Sequence, residues 1–508
     1  MNKQKHAFTN FVKGRGFASG VLTAVIIISV VFVNTIIYTI TNALALQIPL
    51  KKETLDLSIS SANDELFEKY IEQGREVEVI FCSYEDDVKN NEKGAVVYQT
   101  AKNFEEKYPD FIKLKFVNSL TQLDADGNPV DLFKFVENDE NYINSNSVIF
   151  STDTNYRVLT DTYTSTGYSD FYTLDSNLNT LSYNGEEVFA SSVIWAMQPV
   201  DNERVAYFTT GHGETSNAIF YNLLSSAGYT VKELNLRKSA VPDDADLVII
   251  SNPLFDFERS AEGATVVSEY DRLKNYRDKG GNFLVIIDPL VNKAFNVLSS
   301  FIDDYGFSFD VQSGEKVLIK ESYNAITADG FTLVAELADS EIANAMKDKL
   351  VDRAGIESPS IIMRNVGSII LDPEYTMAKP VLVSSPTSTC EAGGQQVDSE
   401  GNYNIAAYSY YENNANSSAM FLMSDGMMTA SDAIVTDKYS NKDFLYSLFD
   451  VFFEQGDMPY GCRSIIFKGS ILENLTIGTA RIYAAVLMAI PVALAAVCGI
   501  VLVRRKNR

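Results

Sequence analysis

An α/β fold organised around a parallel sheet is predicted, and three observations carry that expectation. Between Arg204 and Pro289, apolar runs alternate with stretches whose apolar positions recur at helical spacing. Each run stops at a breaker: Val205–Thr210 at Gly211, Asp246–Ser251 at Asn252 and Pro253, and Asn282–Asp288 at Pro289. The runs are apolar throughout rather than alternating, the pattern of strands buried on both faces under helices. Phe220, Leu223, Leu224 and Ala227 mark one covering helix, ended by Gly228. Val266, Tyr270 and Leu273 mark the next, ended by Gly280 and Gly281, and Tyr229–Leu236 reads as a further strand. Ligands of such sheets sit at the carboxyl ends of the strands. Those ends carry His212, Glu214, Asn252 and Asp288, with Asp425 arriving near the same edge from a later strand.

Composition narrows the function. A chain of 508 residues holds two or three domains with real cores. A formal net charge of -25 and the lack of a basic patch exclude a nucleic-acid surface. Of the four cysteines, Cys498 lies in a C-terminal apolar run, leaving Cys82, Cys390 and Cys462 as an odd set. No C-x-x-C pair occurs, so neither a zinc knuckle nor a dithiol redox site is supported, while one disulfide among the three stays open. No G-x-x-x-x-G-K-[ST] loop occurs either, so the chain is not itself a P-loop ATPase. No cofactor is indicated.

The two ends read as membrane spans. Gly16–Leu50 carries no charge, Val21–Ile40 is apolar enough to cross a bilayer, and Lys3, Lys5, Lys13 and Arg15 precede it. A cleaved signal peptide ending near Ala43 and Ala45 is the alternative. Ile482–Val503 is a second uncharged stretch, followed by Arg504, Arg505 and Lys506. The expected organisation is a cytoplasmic tail 1–17, a span 18–42, a module 51–185, an α/β domain 186–470, a span 481–503 and a tail 504–508. Both termini would be cytoplasmic, at the cell membrane, and the centre extracytoplasmic.

After Leu55–Ser60, a helix is expected around Asp64–Gln73, a strand at Glu76–Cys82 and a helix at about Ala95–Lys107, stopped by Tyr108 and Pro109. A strand at Ile112–Val117, a short helix at Val130–Glu137 and strands at Ser147–Ser151 and Tyr156–Thr160 follow. That order, with a hairpin at the end, looks thioredoxin-like. Cys82 stands where such a fold carries its redox pair, but Ser83, Tyr84 and Glu85 follow it, so it reads as a small buried thiol. Asp124–Asn128 hints at a calcium loop, yet its glycine is misplaced and Phe135 stands where the bidentate acid belongs. Thr160–Gly185 reads as a linker or exposed hairpin, and Glu186–Met197, with the sole tryptophan Trp195, as a helix leading into the central sheet. Beyond Pro289, Ala294–Tyr305 is helical and Gly306 begins an irregular region. Ser368–Leu371 and Pro380–Ser384 are short strands, and Glu391–Glu400 is a loop. Tyr403–Tyr411 and Ala419–Ser424 are strands, and Asn441–Phe453 is a helix with Phe444, Leu448 and Val451 on one face.

Gly211, His212, Gly213 and Glu214 form the sharpest local motif. Two glycines around a histidine allow a tight turn and close backbone approach, and Glu214 precedes a helix N-terminus. One reading is a ligand or metal contact through His212 and Glu214, completed by Asp288 or Asp425. The other is a strand-to-helix turn in which His212 bonds locally and Glu214 complements the helix dipole. Zinc is disfavoured, since the only other histidine is His6 in the tail. No G-x-S-x-G elbow is present, and Asp288 alone reads as a capping carboxylate ahead of Pro289.

Tyr207–Glu214, with Gly228 and Tyr229, Leu234–Leu236, Val241 and Pro242, Asp246–Pro253, Gly280 and Gly281, and Asp288 and Pro289, is similar to the signature of GldG-like auxiliary components of ABC-type transport systems, named from gliding motility. The resemblance covers most of the chain. It implies a central domain that is flavodoxin-like or class I amidotransferase-like, related to a module of intraflagellar transport proteins. The amidotransferase nucleophile does not carry over, because no matching cysteine exists. The function expected is a non-enzymatic, membrane-anchored accessory subunit of an export, motility or envelope complex. Its partners would be an ABC ATPase subunit, a multi-span permease, the lipid bilayer and an envelope ligand. The alternative is an extracytoplasmic hydrolase or carbohydrate-active enzyme using His212, Glu214 and Asp288.

Overall fold

The computed structural model describes residues 55–467 except 119–122, 125, 129, 131, 133–134, 137–142, 161–168, 175–179, 200–202, 215–217, 261–266, 292–294, 313, 323, 414, 426–427 and 437. Both expected spans lie outside these residues. Among the described residues no helix is long and apolar enough to cross a membrane. The longest of them, Glu92–Lys107, has 16 residues with charged side chains along its length, whereas a crossing helix needs about 20 apolar ones. The cell-membrane location, with cytoplasmic termini and an extracytoplasmic centre, is therefore corrected: no described helix supports it, and it is not carried further.

A five-stranded sheet forms first, in the order Leu123–Asp124, Ile112–Asn118, Val77–Phe81, Val148–Ser151, Tyr156–Leu159. Val77–Phe81 and Ile112–Asn118 run parallel, Val77 opposite Ile112, and Val148–Ser151 turns antiparallel to begin a hairpin. A parallel pair needs a crossover, and Glu92–Lys107 supplies it. The Asn91 side chain caps that helix by accepting from the Gly94 amide at 2.8 Å. Val97, Ala101 and Phe104 recur at helical spacing and are buried against the sheet.

The Gly185–Met197 helix joins this same core. Phe189 stacks on Phe104 with centroids 5.2 Å apart and meets Phe150 edge-on at 5.0 Å. The stretch expected as a linker or exposed hairpin holds a hairpin, Tyr172–Leu174 with Thr180–Tyr183, that is buried rather than exposed. Tyr183 is wholly enclosed, its hydroxyl donating to Thr100 Oγ1 at 2.6 Å. Ile465–Ile466, at the far end of the described chain, adds a strand beside it.

The larger sheet has 11 strands. Its parallel half runs Tyr229–Leu234, Arg204–Thr209, Leu247–Ser251, Asn282–Ile286, Ser417–Met423, with registers Arg204 to Tyr229, Leu247 to Ala206, Leu247 to Asn282 and Phe283 to Met420. Alternate residues of each strand enter different cores. Ala206, Phe208, Ile249, Leu284 and Phe421 meet Phe220, Leu224, Phe444 and Phe449 on one face. Val205, Tyr207, Val248, Ile250, Phe283 and Leu422 meet Leu273, Tyr276 and Phe301 on the other. Both sets are apolar because both faces are covered, which is why these strands read as continuous apolar runs.

Beyond Ser417–Met423 the sheet turns antiparallel through Asn404–Glu412, Lys379–Val383, Thr332–Leu337 and Ile361–Arg364. The region read as irregular after Gly306 thus contains three of its strands, Phe307–Phe309, Thr332–Leu337 and Ile361–Arg364, and the Glu341–Asp352 helix, whose Ala343, Met346 and Leu350 face inward. The expected Glu391–Glu400 loop is also ordered. Thr389–Ala392 and Gln395–Asp398 pair across Gly393 and Gly394, both at positive φ of 55° and 74°. Two adjacent residues at positive φ are what a two-residue hairpin demands.

Candidate functional site

The first parallel strand ends at Thr209, and the chain reverses sharply after it. Gly211 and Gly213 have φ of 110° and 78°, left-handed values that a side chain resists. With glycine on either side, His212 drops inward and Glu214 folds back over it. The Glu214 carboxylate accepts from the His212 amide at 2.6 Å and from the Thr209 hydroxyl at 3.0 Å.

His212 is completely buried. Its Nδ1 lies 3.1 Å from Glu214 Oε1, and its Nε2 lies 3.0 Å from both oxygens of Glu269. Each ring nitrogen faces a carboxylate, an arrangement that favours the imidazolium, in which both nitrogens donate. Phe257 stacks on it at 4.0 Å between centroids. Burial pulls the His212 pKa down, but the bonds to Glu214 and Glu269 outweigh burial and hold it above the ordinary histidine value. For Glu214, burial pushes upward, while His212 and the backbone amides bring it below the ordinary glutamate value.

Glu269, in the first turn of the Glu269–Asp278 helix, is the partner that the sequence reading missed. Its Oε2 also accepts from the Glu258 amide at 2.8 Å, and Arg237 Nε approaches its Oε1 at 3.5 Å. A capping box of Ser268 and Asp271 fixes that helix start. The His212 carbonyl accepts from the Leu254 and Phe255 amides at 2.8 and 2.9 Å. One histidine therefore ties the end of the first strand to a helix start and to the loop after the third strand. The only signal for Glu269 was indirect: a glycine-bracketed histidine driven inward needs a counter-charge.

The other expected residues stand apart from this clamp. Asn252 has φ of 49°, which asparagine tolerates, and its amide donates to the Ile286 carbonyl at 2.8 Å, closing the third strand on the fourth. Asp288 is half-buried, and its Oδ1 accepts from the Leu290 amide at 2.9 Å in a local turn. Asp425 is fully buried at the end of the fifth strand, where its Oδ1 accepts from the Arg364 amide at 3.2 Å. Neither His212 nor Glu214 bonds any of the three. Chemically, the His212 imidazole has both nitrogens engaged and no exposed surface, so it holds structure and does not present a base.

Cys82, Cys390 and Cys462 are free, buried thiols, so the open disulfide question resolves against pairing among them. Burial pushes the Cys82 and Cys390 thiols up to about 12 and the Cys462 thiol well above its ordinary value. Thiolates are the reactive form. We expect these three to resist a chromogenic disulfide reagent at pH 8 in the native protein and to titrate fully once denatured. Fast native reaction of Cys82 would sink this reading.

No family model matches the chain, and no curated protein does. Among solved structures it is similar to the mmIFT52 N-terminal domain, with 16% identity over 50% of this chain and 99% of that one, at a TM-score of 0.37. A putative thua-like protein from Bacteroides uniformis ATCC 8492 matches with 12% identity over 49% of this chain and 91% of that one, TM-score 0.30. A glutamine amidotransferase from Thermotoga maritima matches with 13% identity over 51% of this chain and 86% of that one, TM-score 0.22. At such TM-scores none of these likenesses bears on what the chain does.

Proposed function

We propose that this chain is a non-enzymatic binding subunit, an accessory to an ABC-type transport system whose ATPase and multi-span permease are other chains. The observation that carries the non-enzymatic part is the enclosure of His212. Both of its nitrogens are held by Glu214 and Glu269, leaving none to take a proton from a substrate. A hydrolase working through His212, Glu214 and Asp288 needs those groups to converge on open space, and Asp288 makes its own separate turn. The transport part rests on the Tyr207–Glu214 signature.

We read the parallel half of the large sheet as flavodoxin-like, supported by its strand order, second, first, third, fourth, fifth. We read the five-stranded module as thioredoxin-like without redox chemistry, supported by its parallel pair followed by a hairpin. The test is affinity capture of the full chain from crosslinked, detergent-treated cells. An ATP-binding-cassette protein and a permease should be recovered in comparable amounts. Recovery of the chain alone would end the transport proposal.

A further inference from the structure

Where the fourth parallel strand runs out, a cavity of about 300 Å3 lies between the Asn296–Asp303 helix and the Phe307–Phe309 strand. Its walls are mainly apolar, formed by Ile287, Phe295, Ile302, Phe307 and Phe309. Val311 and Gly314 also line it and are exposed, so it opens to solvent on that side. The carboxyl end of a parallel strand is where such folds take ligands.

Lys316 sets the chemistry. Its Nζ lies 5.2 Å from the Phe295 ring centroid and 5.7 Å from that of Phe309. It donates one hydrogen bond, 3.2 Å to the Val291 carbonyl, and among the described residues no carboxylate pairs with it at ion-pair distance. Burial draws its pKa below the ordinary lysine value, and the charge of Asp288 offsets only part of that. The other ionisable lining residue, Asp303, is pushed up by burial and by the charge of Asp304. The Phe295 and Phe309 ring faces attract the ammonium and offset part of its burial cost, and with no carboxylate at ion-pair distance among the described residues a bound anion would compensate the rest.

We propose that this cavity binds a small amphipathic monocarboxylate, its carboxylate on Lys316 and its apolar body among Phe295, Phe307 and Phe309. Size argues for a ring with a short acid tail: a cavity of about 150 Å3 holds a benzene, and this one is about twice that volume. The proposal deepens the binding reading by naming a ligand class. It does not use the transport partners, so failure of the capture experiment leaves it standing.

Calorimetric titration of the full chain with 3-phenylpropionate and with the neutral 3-phenylpropionamide tests it. We expect saturable one-site binding of the acid, roughly tenfold tighter than the amide. In Lys316→Met the acid should lose roughly that tenfold while the amide is unaffected. Equal binding of acid and amide overturns the proposal, as does no binding of the acid at millimolar concentration or unchanged acid affinity in Lys316→Met. The acid-to-amide ratio is read on the unaltered chain, so the outcome stands even if the variant fails to fold.

Discussion

His212→Ala is expected to destabilise the central domain by about 3–5 kcal/mol, the cost of removing one partner from a buried charged cluster. The loss arises because Glu214 and Glu269 stay enclosed once their shared cation is gone. Urea denaturation measures it, and a loss under about 1 kcal/mol would mean that the cluster is solvated in solution. The pH dependence has a definite sign. The His212 pKa is raised on folding, so its contribution is complete below the unfolded value of ~6.5 and fades as pH climbs through the folded value. The Glu214 pKa is lowered, so its contribution is complete above ~4.3 and fades as pH falls through the folded value. Wild type and His212→Ala should therefore differ most between these limits and converge at alkaline pH.

Lys442→Met is expected to be comparably damaging, again about 3–5 kcal/mol. Lys442 Nζ donates to Glu187 Oε2 and to the Cys462 carbonyl, both at 2.7 Å, and Tyr446 donates to Glu187 Oε1 at 2.7 Å. This joins the Gly185–Met197 helix to the Asn441–Ser447 helix. Burial lowers the Lys442 pKa, yet Glu187 and Asp443 more than offset it and the net shift is upward. The contribution of the Lys442 proton is therefore complete below ~10.4 and fades as pH rises through the folded value. Adding Glu187→Leu removes the stranded carboxylate and should restore much of the loss, since apolar replacement of a buried pair is often neutral. A double-mutant cycle with no coupling between the two positions would refute the account.

The parts of this fold legible in the sequence are those governed by local pattern. Arg204–Thr209, Leu247–Ser251 and Asn282–Ile286 announce themselves because both faces of each strand are buried, and Pro or Gly stops them. Long-range partners carry no such mark. Glu269 lies 57 residues from His212, and in sequence it is an ordinary acid at a helix start. Nor does anything near Ser417–Met423 state that it completes the parallel half after an antiparallel excursion. The Thr389–Asp398 hairpin was readable in principle from Gly393 and Gly394, but its strands are largely polar and half-exposed, so the turn was the only signal. At the candidate site, the glycine-bracketed turn was foreseeable. Whether its histidine faced a cleft or a carboxylate depended on a helix elsewhere in the chain.

Glu186 receives the Ser60 amide at 2.7 Å on one oxygen and the Arg463 amide at 3.3 Å on the other. A single side chain thus grips the polypeptide at Ser60 and again at Arg463. Mechanical tension applied at those two places would be borne by the small five-stranded module and its hairpin, leaving the 11-stranded sheet out of the force path.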